Sequence, residues 1–532
     1  MSVFVVLCIM FTLSGQYAKA DTIKVTTLED DLLPNGNCTL REAIRSLESL
    51  SAVDACILES SAGATIDLRQ LSGTLTLTLG EIEIRSTMNI YGPGASELQL
   101  SGNGSSRIFR ITEAELVFLS WLGFTSATTA ISVSNAKVFV ADSRFVSNSV
   151  GISSGGDALV VRESTFEQNG TGISAGGDEN AELRVTRCLI TNNERGLSLG
   201  GDGSFTIEGS TISGNRLFIQ FPDILFSKGG GGLLIENDVR GVIRNTTISS
   251  NIGGGVWVGR ESGGHLTITN STIYGNMRAE ARDPLGRNVI RTGGVTLWLF
   301  SSHEIVLHST IVAGNDGYDL GSSDPIASEG YNLIGIGSTD FAANIGDQIG
   351  VNDVAIDPML GPLAYNGGPT PTHALMAGSP AIDTGRCGDL LIDQRGYSNP
   401  STGFRAIDVA GVTNFADGCD VGAFEYDAVG VAVESQPKVP GSTSEGFMMS
   451  HAYPNPFSKR SSFTLVVSET QKVRVEVFDL LGRRVQVLNS DILKANIPYD
   501  FEIEGHNLPS GVYIYHAIGE TFKATGKVIL TR

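Results

Sequence analysis

Through the middle of the chain one apolar residue sits among polar ones in a short recurring phrase. Its clear copies are Ser143-Arg-Phe-Val-Ser-Asn148, Ser164-Thr-Phe-Glu-Gln-Asn169, Ser210-Thr-Ile-Ser-Gly-Asn215, Thr246-Thr-Ile-Ser-Ser-Asn251 and Ser271-Thr-Ile-Tyr-Gly-Asn276. A weaker copy spans Arg187 to Asn192, and Ser309-Thr-Ile reaches Asn315 with one extra residue, so the asparagine spacings are 21, 23, 23, 36, 25 and 39. The phrase is too short and too β-branched for a helix, and glycine clusters follow it, which predicts a strand, a turn and another strand. Self-similarity at this period marks a solenoid in which each copy is one coil, with loops inserted where the spacing grows.

After the asparagine comes a Gly-apolar-polar step, as in Gly151-Ile-Ser153, Gly172-Ile-Ser174 and Gly196-Leu-Ser198. A Gly-Gly-Asp turn follows at Asp157, Asp178 and Asp202, then an alternating strand such as Leu159-Val-Val161. Three short strands per coil result. With a side-chain period of two, Ile152, Ile173 and Leu197 point into the bore, with Leu233 and Val256 continuing the column, while Ser153, Ser174 and Ser198 face solvent. The asparagines stack at an inward turn as a ladder. The expectation is an all-β chain folded as a right-handed parallel β-helix, a pectate-lyase-like solenoid of ten to twelve coils between about Thr65 and Asn315, its hand set by the general rule for parallel crossovers.

Glycine is 65 of 532 residues, about 12% against an average near 7%, as a turn-dense solenoid needs. The balance of 37 basic and 57 acidic residues gives −20, and a surface of that sign repels nucleic acid. At the start of the sequence, Val3 to Leu13 is a short apolar run, and Ala18-Lys-Ala20 precedes Asp21 as a small-residue cleavage site, so 1–20 is expected to be a signal peptide. Beyond it no stretch is long and apolar enough to span a bilayer. Export gives the cysteines meaning: Cys38 is expected to pair with Cys56, and Cys387 with Cys419. Cys188, at a strand position where neighbouring coils carry Thr, is left as a lone thiol packed in the wall. No Cys-x-x-Cys or histidine cluster supports zinc.

Three segments resemble known families. Asn37-Cys-Thr-Leu-Arg-Glu-Ala-Ile44 followed by Ala64-Thr-Ile-Asp67 is similar to the CSLREA segment that opens many bacterial β-helix surface proteins. Read physically, Thr39 is an N-cap and Glu42 completes a capping box for a helix ending near Leu50, which closes the open end of the solenoid within an N-terminal cap over 21–64. After a β-helix over 65–360, Leu363-Ala-Tyr-Asn-Gly-Gly-Pro-Thr-Pro-Thr-His373, Gly378-Ser-Pro-Ala-Ile-Asp383, Asp393-Gln-Arg-Gly396 and Asp420-Val-Gly-Ala-Phe-Glu425 resemble the choice-of-anchor region. Its charged residues, His373, Asp383, Asp393, Arg395, Asp408 and Asp420, are read as satisfying turn backbone, and 361–427 as a C-terminal cap. Past a linker at 428–447, Tyr453-Pro-Asn-Pro-Phe457, Val473 to Val485 and Leu508-Pro-Ser-Gly-Val-Tyr-Ile-Tyr515 resemble the C-terminal sorting domain of the type IX secretion system, over 448–532. Alternating strands broken by Gly and Pro give a small β-sandwich there independently. The resemblance implies the type IX machinery as partner and passage across the outer membrane to the cell surface or medium.

An extracellular β-helix suggests a polysaccharide lyase or glycoside hydrolase by fold alone. Such chemistry needs two facing carboxylates, or a base beside acidic calcium ligands, and the solvent-facing columns offer serines and scattered single charges. The Asp157, Asp178, Asp202 column is the nearest metal candidate, although each Asp follows Gly-Gly and suits a tight turn. No cofactor motif is present. A candidate binding face lies on one wall: the outward column Ser153, Ser174, Ser198, Leu234, Trp257, Thr296 turns apolar halfway along. Insertions carrying Phe218, Phe221 and Phe226, and then Arg282 and Arg287, flank Trp257 on one face, about 10 Å or two coil rises apart from each other. That layout fits a groove with an aromatic floor for an extracellular polysaccharide or host glycan, unless the phenylalanines simply cover Trp257. The functional expectation is a structural or adhesive surface protein that binds glycan, with a polysaccharide-active enzyme as the rival.

Overall fold

The computed structural model of the protein describes 22–57, 65–217, 230–259, 263–278, 293–297, 303–321, 325–337, 341–351, 354–388, 390–399, 405–427 and most of 447–531. The expected signal peptide, the flanking-loop residues Phe218, Phe221, Phe226, Arg282 and Arg287, and most of the linker lie outside the described residues.

Three parallel sheets wind into a right-handed β-helix. Among the described residues the first has 13 strands, from Thr22–Lys24 to Phe341–Ala342; the second has 10, from Ile82–Ile84 to Leu320–Gly321; the third has 12, from Gly73–Thr76 to Gln348–Ile349. Each coil runs from a first-sheet strand such as Lys137–Ala141, through a third-sheet strand, Arg144–Val146, to a second-sheet strand, Val150–Gly155. One core fills the bore from Ile23 to Phe341. Ile152, Ile173, Leu197, Leu233 and Val256 stand in register in it, each with no exposed surface. Phe124, Phe145 and Phe166 stack face to face on successive coils, with centroids 4.6 and 4.5 Å apart. Where Phe205 swells the bore, its neighbour in the next coil is Gly241, at which a Cβ would come within 2.0 Å of the ring.

Both turns bounding the third-sheet strand are left-handed. Asp142, Glu163, Arg187, Gly209, Asn245, Asn270 and Ser309 occupy positive φ before the strand, and Ser147, Gln168, Asn192, Gly214, Ser250, Gly275 and Gly314 after it. The repeat phrase is the stretch between: a Ser or Thr whose hydroxyl folds back onto the carbonyl two residues earlier, an apolar residue entering the bore, and the asparagine after the second left-handed residue.

The asparagine ladder exists and has a direction. The Nδ2 amides of Asn148, Asn169, Asn193, Asn215, Asn251 and Asn276 each donate to Oδ1 of the next member, at 2.8–3.0 Å, and to a backbone carbonyl of the coil behind. Each backbone N–H donates to that same Oδ1, so the last member need only accept. That member is Asp319, which receives Asn315 N–H at 3.0 Å and Asn315 Nδ2 at 2.8 Å.

Two details of the repeat differ from the sequence expectation. The third rung is Asn193, with Asn192 as the left-handed residue before it, so the spacings are 21, 24, 22, 36, 25 and 39. Cys188 therefore stands at the hydroxyl position, where other coils have Ser or Thr, its amide donating to Ser210 Oγ at 3.1 Å. The last copy has no extra residue: Ser309 is the left-handed position and Thr310 begins the phrase.

At the N-terminal end the helix Leu40–Ser49 carries the capping box of Thr39 and Glu42, and Leu40, Ala43, Ile44 and Leu47 join the bore's core. Cys38–Cys56 and Cys387–Cys419 are disulfides, and Cys188 is free and buried. The segment expected to cap the C-terminal end does something else. It turns back and lies as a strap on the outer face of the third sheet, from Leu333 to Gly209. The reason is composition: outward positions there are Thr211, Thr247, Thr272, Ile311 and Leu333, small or apolar, whereas Arg144 and Glu167 keep the same face in water on earlier coils. Antiparallel strands at 447–530 form the C-terminal β-domain with a core of its own. Among the described residues no helix is long and apolar enough to cross a membrane.

Candidate functional site

The outward column holds its register, Ser198 beside Leu234, Trp257 and Thr296. Its apolar half is not open: Leu234 is 1% and Trp257 3% exposed, although neither belongs to the bore's core. The indole thus offers no flat face to a ligand. Asp157, Asp178 and Asp202 are exposed, and Asp178 accepts its own turn's Asn180 N–H at 2.9 Å. Their carboxylates do not converge. Among the described residues the only metal-sized group of three ligand side chains is Cys387, Cys419 and Glu425, whose two sulfurs are joined to each other.

The strap gathers the charged residues singled out in its sequence and uses most of them on backbone. Asp393 accepts the N–H groups of Arg395, Tyr397 and Glu425 at 2.8–3.1 Å and pairs with the Arg395 guanidinium at 2.7 Å. Asp420 accepts the N–H groups of Asp383 and Tyr426. His373 donates from Nδ1 to Gly361 O and accepts the Ser249 hydroxyl at Nε2, both at 2.7 Å, and burial pushes its pKa down. A serine hydroxyl on a neutral histidine has the geometry of an activated nucleophile. Ser249 has no exposed surface and His373 5%, so the pair fastens strap to solenoid.

The largest fully buried side chain of the strap carries a charge that its sequence does not mark. Arg405, fully buried, pairs with Glu425 at 3.0 Å and donates to Asn245 Oδ1 at 2.8 Å and to the Gly422 carbonyl. Burial lifts the Glu425 carboxyl to about 7, against the pull of Arg405.

The described surface does carry an open aromatic stripe. On the outer face of the first sheet Phe118 and Phe139 are register partners on successive coils, half-buried, with ring centroids 5.3 Å apart. Trp121, at the turn beside Phe118, is half-buried and packs 6.4 Å from Tyr91. Val160, Arg184, Thr206 and Val242 continue the Phe column. Alternation places these residues outward, and the signal is present in the sequence as Val117-Phe-Leu119 and Val138-Phe-Val140, outside the repeat phrase.

Comparison with known families agrees with the architecture. Residues 129–316 match the family model described as "right handed beta helix region", and residues 451–531 match "secretion system C-terminal sorting domain". This is a β-helix protein with a type IX sorting tail. It is accordingly secreted to the cell surface or the extracellular space, with the type IX machinery as its partner in transit. No curated protein matches the sequence.

The β-helix and the tail have separate cores, which fixes an expectation for delivery. Deleting 448–532 should leave the β-helix folded but retained in the periplasm. Surface display of the truncated chain at the wild-type level, scored by protease shaving of whole cells, would overturn this.

Proposed function

We propose that the protein is a structural or adhesive component of the cell surface that binds glycan along the outer face of its solenoid. The observation that carries this reading is the Phe118–Phe139 pair with Trp121 beside it, on a stiff parallel sheet exported by a sorting tail. Half-exposed rings on successive coils supply flat apolar area at a spacing near 4.8 Å, suited to stacking against the apolar faces of sugar rings, while Arg184 beyond them can contact hydroxyl or acidic groups.

The test is a panel of polysaccharides offered to the mature protein, scored for retention and for release of new chain ends. The double substitution Phe118→Ala and Phe139→Ala should weaken retention at least tenfold, about 1.4 kcal/mol. Trp257→Ala should lower the melting temperature and leave affinity unchanged, because the indole is buried. Full affinity in the double variant sinks the proposed face. Cleavage of any polysaccharide would replace the adhesive reading with a lyase or hydrolase.

A further inference from the structure

We propose that the strap holds a calcium ion between Asp383 and Asp408, at the loop that closes over Asp383. Asp383 has no exposed surface. Its Oδ2 accepts Val409 N–H at 3.0 Å, while its Oδ1 is sealed from solvent with no hydrogen-bond donor among the described residues. A buried carboxylate oxygen with nothing opposite it costs several kcal/mol unless a proton or a cation meets it.

The surroundings favour a cation. Four acidic residues of the strap are buried, Asp383, Asp393, Asp420 and Glu425, against two buried arginines, Arg395 and Arg405. Both arginines are taken, by Asp393 and Glu425. Asp420 is spoken for by two backbone N–H groups, one of them from Asp383 itself. What remains is Asp383, with the charge of Asp408 acting on it. Asp408 is exposed; its Oδ1 accepts Asn414 Nδ2 at 2.9 Å and lies 2.8 Å from where a Cβ on Gly418 would stand. The loop is tied down on both sides of that point, Phe415 N–H to the Asp383 carbonyl at 3.0 Å and Asn414 Oδ1 to the amides of Ala416 and Gly418. One carboxylate on an exposed loop over a sealed one suits a hard ion that completes its shell with carbonyls and water. Arginine and lysine are absent from 406–427, so no side chain of the loop itself can take the cation's place.

The experiment is equilibrium dialysis of the full chain against radioactive calcium, paired with melting curves in calcium chloride and in EDTA. One ion per chain should be retained, and millimolar calcium should raise the melting temperature by several degrees over EDTA. Asp408→Asn, an exposed substitution compatible with folding, should weaken calcium binding at least tenfold. Asp383→Asn should abolish binding while making the melting temperature insensitive to EDTA. Asp178→Asn, in an exposed turn far along the sequence, should bind as the parent does. Identical melting in calcium and EDTA, or full retention of the ion by Asp408→Asn, overturns the site and means that a proton neutralises Asp383.

Discussion

Asn215→Ala should destabilise the β-helix by roughly 3–5 kcal/mol, because one side chain serves two coils at once. Its Oδ1 accepts Asn193 N–H at 3.0 Å and Asn193 Nδ2 at 2.9 Å, and its Nδ2 donates to Asn251 Oδ1 at 2.8 Å and Ile190 O at 3.1 Å. Alanine leaves the Asn193 backbone N–H without its acceptor in a site that excludes water, at about 1–3 kcal/mol, and takes one hydrogen bond each from Asn193 Nδ2, Asn251 Oδ1 and the Ile190 carbonyl, at about 0.5–1.5 kcal/mol apiece. Asn215→Asp should be at least as harmful, since an acceptor would then face Asn251 Oδ1 and a carbonyl. Asp319 tolerates a carboxylate because it sits where the ladder only receives. Urea titration of the variants beside the exposed control Asn180→Ala measures this; a loss under about 1 kcal/mol would show that the ladder is ornamental.

The second large effect belongs to Arg405→Met, expected to cost about 3–5 kcal/mol by stranding the Glu425 carboxylate. Removing both charges, with Arg405→Met and Glu425→Leu together, should recover most of the loss. The deficit should also depend on pH. Glu425 is raised from 4.5 to about 7, chiefly by burial, so the folded state holds a proton that the unfolded chain releases. Stability from that proton is complete below about 4.5 and is lost as pH climbs through about 7. Without Arg405 the carboxyl rises further, and the single variant should be least stable near pH 8 and recover toward pH 5. Melting temperatures across that range decide it; a deficit independent of pH would mean that Glu425 is not the stranded group.

The solenoid was legible because each coil repeats the same physical requirement: two left-handed turns, one apolar side chain into the bore, one amide across to the next coil. The slip at Arg187 to Asn193 has the same origin. Asn and Arg both occupy left-handed positions here, so two adjacent asparagines gave two possible registers, and only burial separates them, Ile190 being fully buried and Leu189 not. The strap was harder to read. Its own Asp and Arg residues look alike whether they serve turns or pair across a buried interface. The evidence was on the other partner, in the drift of outward third-sheet residues from Arg144 and Glu167 to Thr247 and then Ile311. For the Trp257 face, an aromatic in an outward column is equally compatible with a binding floor and a covered one, and periodicity alone does not distinguish them.

The strap also determines how the protein bears a load. In a copy pulled from its C-terminal side, as hydrodynamic drag on a surface-attached chain would do, the load enters the strap at 427. In an ordinary solenoid such a pull would peel the last coil, then the one before, breaking a few bonds at a time. Here the tension meets a segment fastened to Ser309, Thr272, Asn270, Thr247, Asn245 and Thr211, so several coils must yield together in shear. The returning segment works like a seam sewn across the turns of a spring, and the force that would unwind the protein is spread along its wall.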